Sequence, residues 1–173
     1  LVAIYQSRTK VEPPQISKHQ LLREMAKEEN VDFSRPVNTL SHSDLMTGMV
    51  FPDSAGDFLK AVVLEAGRRR LPWLVDGALP LLSHENKSVR LAVISVLSED
   101  PHPEAVRGLL PGLLDQDLQI AIATAEALEK NGSLNSIPEL MHYYNQIDVE
   151  QNPELKAALR ATIEKIQGFP ITE

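Results

Sequence analysis

The sequence predicts an all-α fold, a solenoid of stacked helix pairs preceded by an irregular helical segment. Three observations predict it. The phrase "VDGALPLLSHEN" (75–86) returns as "VRGLLPGLLDQD" (106–117), 31 positions later, with Val, Gly, Leu, Pro and Leu in the same columns. Eight apolar columns hold that step through three copies, and Thr124 is their only polar member. Breakers split each copy into two short helices, A and B. Self-similarity at 20–50 residues is the signature of a stacked-repeat architecture. A lone helix pair cannot bury its apolar face, and stacking the pairs makes one continuous core.

Residues 1–53 form the N-terminal linker and helical cap segment. "VEPPQ" (11–15) reads as a linker, because Pro13 and Pro14 cannot continue a helix. Ser17 with Gln20 reads as a capping box. It opens a helix with an apolar face of Leu21, Leu22 and Met25 that runs out near Asn30. The stretch around Pro36 is loop-like, and a short helical turn at Leu45–Val50 ends at Pro52. The opening "LVAIY", followed by Arg8 and Lys10, has two readings: the tail of a membrane span with a basic flank, or a strand or helix end.

The repeats occupy 54–167. Ser54 with Asp57 marks a helix N-terminus. Phe58, Val62, Val63 and Ala66 form the first A face, which steps to Val89, Val93, Ile94 and Leu97, and then to Ile120, Thr124, Ala125 and Leu128. Gly67 and the Arg68–Arg70 run close that helix, and Pro72 opens the first B helix. Its face of Val75, Ala78, Leu79 and Leu82 steps to Val106, Leu109, Leu110 and Leu113, and then to Ile137, Leu140, Met141 and Tyr144. Gly77 and Gly108 leave room where helices approach closely. Pro80 and Pro111 fall inside the B helices, where a missing N–H should kink or shorten them. Asn86, Asp117 and Asp148 share one column. Another step carries Thr124 and Leu128 to Leu155 and Leu159, while Pro153 delays the last helix. Residues 153–167, with Leu155, Leu159, Ile163 and Ile166, read as a terminal capping helix. Residues 168–173 read as a C-terminal tail.

The stretch "NKSVRLAVISVLSEDPHPEAVRGLLPGLLDQD" resembles HEAT-like repeats of the phycobilisome-lyase type. Val89, Arg90, Asp100, Pro101, Ala105, Val106, Leu109 and Leu110 carry the resemblance, and Asp117 and Ile120 repeat the opening of helix A. Ala121 stands where that pattern has Arg, and Ser98 and Glu129 replace its Gly. The resemblance implies a right-handed α-α superhelix, armadillo-like in architecture, over about 54–167. Fold alone does not carry function.

Composition excludes several chemistries. There are no cysteines, which removes disulfides, thiolate metal sites and a cysteine nucleophile. The net charge of −7 argues against a phosphate backbone as partner. No Gly-rich phosphate loop is written, and no apolar run approaches transmembrane length. The five histidines form no H-x-x-x-H or H-E-x-x-H string. His84–Glu85 resembles one His-Glu pair of the deoxyhypusine hydroxylase family, but it is the only such pair and reads as a turn histidine. Asp115, Asp117, Glu126 and Glu129 read as helix-terminal and solvated carboxylates, and Arg68, Arg69 and Arg70 as charge at a helix C-terminus. Arg90 reads as a structural tie to a neighbouring turn.

What remains is a surface. Stepping by 31 along the outward side of the B helices gives three rows: Trp73, Glu104 and Asn135; Asp76, Arg107 and Pro138; Leu81, Gly112 and Tyr143. Trp, Tyr and Arg are the residues that most often anchor interfaces. The candidate partner-binding residues are therefore Trp73, Asp76, Glu104, Arg107, His142 and Tyr143, and the partner is another protein. An equal reading has Trp73 covering the edge of the core between the N-terminal segment and the repeats. The expected function is a non-catalytic interaction or scaffold module of a larger, bacterial-type, cytoplasmic protein, with no metal, no cofactor, no nucleic acid and no membrane insertion. The alternatives are a subunit of a HEAT-like enzyme, of lyase or glycosylase type, and the soluble regulatory tail of a membrane protein.

Overall fold

The computed structural model describes residues 18–26, 31–51 and 56–171. The signals at Pro13, Pro14, Ser17, Asn30, Pro52 and Ser54 lie outside the described residues. Nine α-helices are described: α1 Lys18–Ala26, α2 His42–Val50, α3 Gly56–Arg68, α4 Leu74–Ala78, α5 Lys87–Leu97, α6 Pro103–Leu109, α7 Leu118–Asn131, α8 Ile137–Gln146 and α9 Pro153–Gln167. No strand occurs among the described residues.

The helices pack as two rows. The A row runs α3, α5, α7, α9, each against the next. The B row runs α2, α4, α6, α8; α2, α6 and α8 pack on the following A helix, and the unit of α4 meets α5 through the 3-10 segment Leu79–Ser83. The A columns behave as the repeat requires at every position but one: Val62, Val63 and Ala66, Val89, Val93, Ile94 and Leu97, and Ile120, Thr124, Ala125 and Leu128 are buried, whereas Phe58 is half-buried and its neighbour Leu59 is buried instead. One core joins them from Leu40 to Ile163. Thr124 is accommodated because its hydroxyl donates to the Ile120 carbonyl at 2.8 Å, within its own helix.

The prolines act as expected. After Ala78 and after Leu109 the backbone tightens into 3-10 segments, Leu79–Ser83 and Leu110–Leu114, each with the proline in its first turn. A proline lacks the N–H that would continue the α ladder. In the third unit His142 occupies the proline column, and α8 runs unbroken. The two glycines are packing residues. A Cβ on Gly108 would lie 2.2 Å from Leu79 Cδ2, and one on Gly77 would lie 2.9 Å from Met49 Sδ.

Three expectations are corrected. The row Leu81, Gly112, Tyr143 is not an outward row, because Leu81 is buried. The first B helix turns Leu74, Ala78 and Leu81 inward and leaves Val75, Leu79 and Leu82 half-buried. It does so because α4 also packs against α1 and α2. The last interval is 35 rather than 31, since Ile120, Thr124 and Leu128 correspond in burial to Leu155, Leu159 and Ile163. Asp148 keeps the turn of its column, its carboxylate accepting from Glu150 N at 2.8 Å, but the helix starts four residues later, with Asn152 as N-cap.

The N-terminal segment is more regular than expected. The turn at Leu45–Val50 is a full helix from His42, opened by a capping box in which Ser41 and Asp44 satisfy each other's backbone N–H. It stands at the head of the B row. Residues 31–40 pack on α3 at the head of the A row. Phe33 meets Phe58 edge-on at 5.3 Å between centroids. Arg69 donates to the Leu40 and Asn38 carbonyls at 2.7 and 3.0 Å. On α1, Leu22 and Ala26 are buried while Leu21 and Met25 are exposed, so the expected face is rotated. Residues 168–171 fold back on α9, where Ile171 N donates to Glu164 and its carbonyl accepts from Arg160.

Candidate functional site

The B-to-A turns are built twice on one plan. His84 Nδ1 accepts from Asn86 N at 3.0 Å, and Asn86 accepts from Ser88 N at 2.9 Å. One unit later Asp115 accepts from Asp117 N at 2.8 Å, and Asp117 accepts from Gln119 N at 3.0 Å. Each side chain satisfies N–H groups that a helix start leaves unpaired. His84 is thus a turn histidine. Arg90 donates to the His84 and Glu85 carbonyls at 2.8 and 3.1 Å and lies 3.1 Å from an Asp115 carboxylate oxygen. It ties one turn to the next, as read from the sequence. Lys87 pairs with Asp117 at 2.7 Å, and its hydrogen bond holds that carboxyl below the usual range.

Most of the basic run is spent within the fold. Arg68 and Arg69 both reach the Glu65 carboxylate at 2.7 Å. Hydrogen bonding from Arg68, and then from Arg69, pulls the Glu65 carboxyl down to about 2. Glu129 on α7 pairs with Lys165 on α9, and Glu99, in the turn after α5, pairs with Lys130 on α7.

The six candidate residues separate into three places. Trp73 is half-buried at the start of α4 and packs against both the main core and the smaller cluster of Leu22, Ala26, Met46 and Val50. It covers the junction between the N-terminal helices and the repeats. Asp76 and Glu104 line a groove of about 410 Å³ where the A-to-B turns of the first two units meet. Arg107, His142 and Tyr143 come together around a second groove of about 390 Å³ between successive B helices.

The second groove is the more apolar. Leu110, Pro111, Pro138 and Tyr143 line it, with Arg107, Glu139 and His142 beside them. His142 meets Tyr143 edge-on at 5.9 Å between centroids and lies 2.6 Å from the Gln146 amide nitrogen. An aromatic ring, a guanidinium and an apolar floor form the arrangement in which interface anchors work. Sequence reasoning missed Pro111 and Pro138 as neighbours of Tyr143. The signal was present, since Pro111 and His142 share a column. It also missed Arg70, Glu99, Asp100 and His102 in the first groove. Among the described residues no group of three or more His, Asp or Glu is arranged to hold a metal ion. No described helix is long and apolar enough to cross a membrane.

Paired helices in two rows, a repeated core and grooves between units define a helical-repeat protein. The chain belongs to the HEAT-repeat family, whose model, described as HEAT repeats, matches residues 75–163, 89 of its 173 residues. No curated protein and no solved structure matches it.

Proposed function

We propose that this chain is a non-catalytic protein–protein interaction module, its units arranged as a right-handed superhelix. The groove between α6 and α8 receives a segment of another polypeptide. The observation that carries this reading is the convergence of Arg107, His142 and Tyr143 over an apolar floor of Leu110, Pro111 and Pro138. HEAT repeats commonly mediate protein–protein interaction, which supports it. Mixed charge and an aromatic ring suit a polypeptide better than a phosphate backbone, which wants uniform positive charge. Several residues that carry the phycobilisome-lyase resemblance have structural places. Arg90 holds a turn, and Ala105, Val106, Leu109 and Leu110 are buried.

The test is selection of binders from a random peptide library displayed on phage, followed by titration of the selected peptides. Arg107→Ala and Tyr143→Ala should each weaken binding by roughly tenfold or more, with helicity retained by circular dichroism. Equal affinity for both variants refutes the assignment. A bilin absorbance band on incubation with the free chromophore would favour the lyase-type reading instead.

A further inference from the structure

The groove at the A-to-B turns has a different character and carries a separate inference. Its walls come from the end of α3, the start of α4, the end of α5 and the start of α6. Leu71, Leu74, Val75, Val96 and Pro101 supply apolar surface. The floor is tight, because a Cβ on Gly67 would lie 2.5 Å from Val96 Cγ1. Four acidic residues, Asp76, Glu99, Asp100 and Glu104, line it, with the Glu99 carboxylate turned to Lys130, and Arg70 is the one Lys or Arg among the described lining residues. Arg70 is also the one non-glycine residue with positive φ among the described residues, at 51°.

We propose that this groove binds a basic, apolar-flanked segment of a partner protein. The carboxylates receive a Lys or Arg head, and the apolar walls cover its aliphatic stem. The charge excess decides the sign of the occupant. A long cationic side chain is the one that presents both a charged head and an apolar stem. The carboxylates are not idle in the free protein. Glu99 pairs with Lys130, Asp100 accepts from His102 N at 2.9 Å, and Asp76 and Glu104 hold contacts of their own. A carboxylate offers about four acceptor positions, so one such contact leaves room for a cationic head. The proposal does not depend on the α6–α8 groove, which is lined by different residues.

The experiment is an NMR titration of the full chain with acetyl-Val-Leu-Arg-Leu-Lys-amide. Saturable amide shifts are expected at 67–76 and 96–104. The counterpart with Glu in place of both basic residues should give none. The double variant Glu99→Gln/Asp100→Asn should bind about fivefold more weakly. Asn at 100 retains an oxygen to accept from His102 N, so the turn persists. Arg70→Gln removes the one Lys or Arg among the described lining residues and should tighten binding. Four outcomes overturn the proposal: no saturable shift, equal binding of the acidic peptide, equal binding of spermine at these residues, or shifts confined to 107–143. The last would support the α6–α8 groove and count against this one. Failure of Arg107→Ala to weaken phage-selected peptides would leave this result untouched.

Discussion

Arg70→Gly should stabilise the protein, and the amount follows from the geometry of one turn. Helix α3 ends with Leu71 N donating to the Ala66 carbonyl at 3.2 Å and Arg70 N donating to the Gly67 carbonyl at 2.9 Å. These are the two bonds of a Schellman motif, and Leu71 and Ala66 are both buried in the same core. The motif requires the left-handed region at residue 70, where glycine is the usual choice. An L-residue there costs roughly 1–2 kcal/mol. Glycine returns roughly 0.5–1 kcal/mol through its freer unfolded chain. The net gain is about 0.5–1 kcal/mol. Arg70→Ala is the control, since it removes the exposed side chain but keeps the Cβ. It should stay within about 0.5 kcal/mol of the parent. Urea melts followed by circular dichroism measure the difference, and thermal melts should show about 2–4 °C per kcal/mol for a chain this size. If Arg70→Gly is no more stable than Arg70→Ala, residue 70 is not left-handed in solution, and the reasoning fails.

Leu110→Ala empties a buried position in the unit interface and should cost roughly 2–5 kcal/mol in a denaturant melt. An unchanged midpoint would mean that this column does not face the core. Gly108→Ala gains about 1 kcal/mol of helix propensity but drives a methyl onto Leu79, at a cost of about 1–3 kcal/mol. It should therefore be neutral to destabilising alone, and a double-mutant cycle with Leu79→Ala should reveal favourable coupling. Glu65 has its carboxyl pulled down to about 2 in the fold. Its contribution is present above the ordinary carboxylate value and is lost as pH falls from there toward 2. Stability measured from pH 5 to pH 2 should fall less steeply in Glu65→Gln than in the parent, and parallel curves would show that the Arg68 and Arg69 bonds add nothing.

The core was legible wherever neighbouring units constrain it from both sides. The A columns from Val62 to Leu128 could be read by stepping because each A helix meets an equivalent helix after it, and α5 and α7 meet one before it as well. Legibility failed at the two ends, where that symmetry is lost. At the start, α4 is pulled toward α1 and α2, so Leu81 turns inward although its column partner Gly112 has no side chain to bury. At the finish, four extra residues after Ile147 delay the start of α9 to Pro153, and the step becomes 35. A periodic reading carries no information about either neighbour. The helix α2 was underestimated for a different reason. Its Ser41–Asp44 box departs from the Glu or Gln usual at the third position, yet Asp44 reaches the Ser41 N–H at 2.8 Å.

Candidate sites were legible in a complementary way, through the places where the columns break. Pro80 and Pro111 tighten the first two B helices, and His142 in the same column lets α8 run straight past them. The straight helix carries Tyr143 to the side of Pro111, and the apolar groove follows from that mismatch. At the A-to-B turns the column Arg70, Pro101, Gly132 changes residue at every step, so each turn takes its own shape. Arg70 holds the left-handed position in the first unit, while Gly132 has an ordinary φ of −67° and ends α7 through a bond to the Leu128 carbonyl. The first groove lies between the Arg70 and Pro101 turns. Fixed columns make the units stack, and a column that changes makes two stacked units differ. In a repeat protein, recognition of one partner at one place needs such a difference. A mutational scan for binding should therefore begin at the broken columns, residues 70, 101, 142 and 143, before the conformity of the rest is tested.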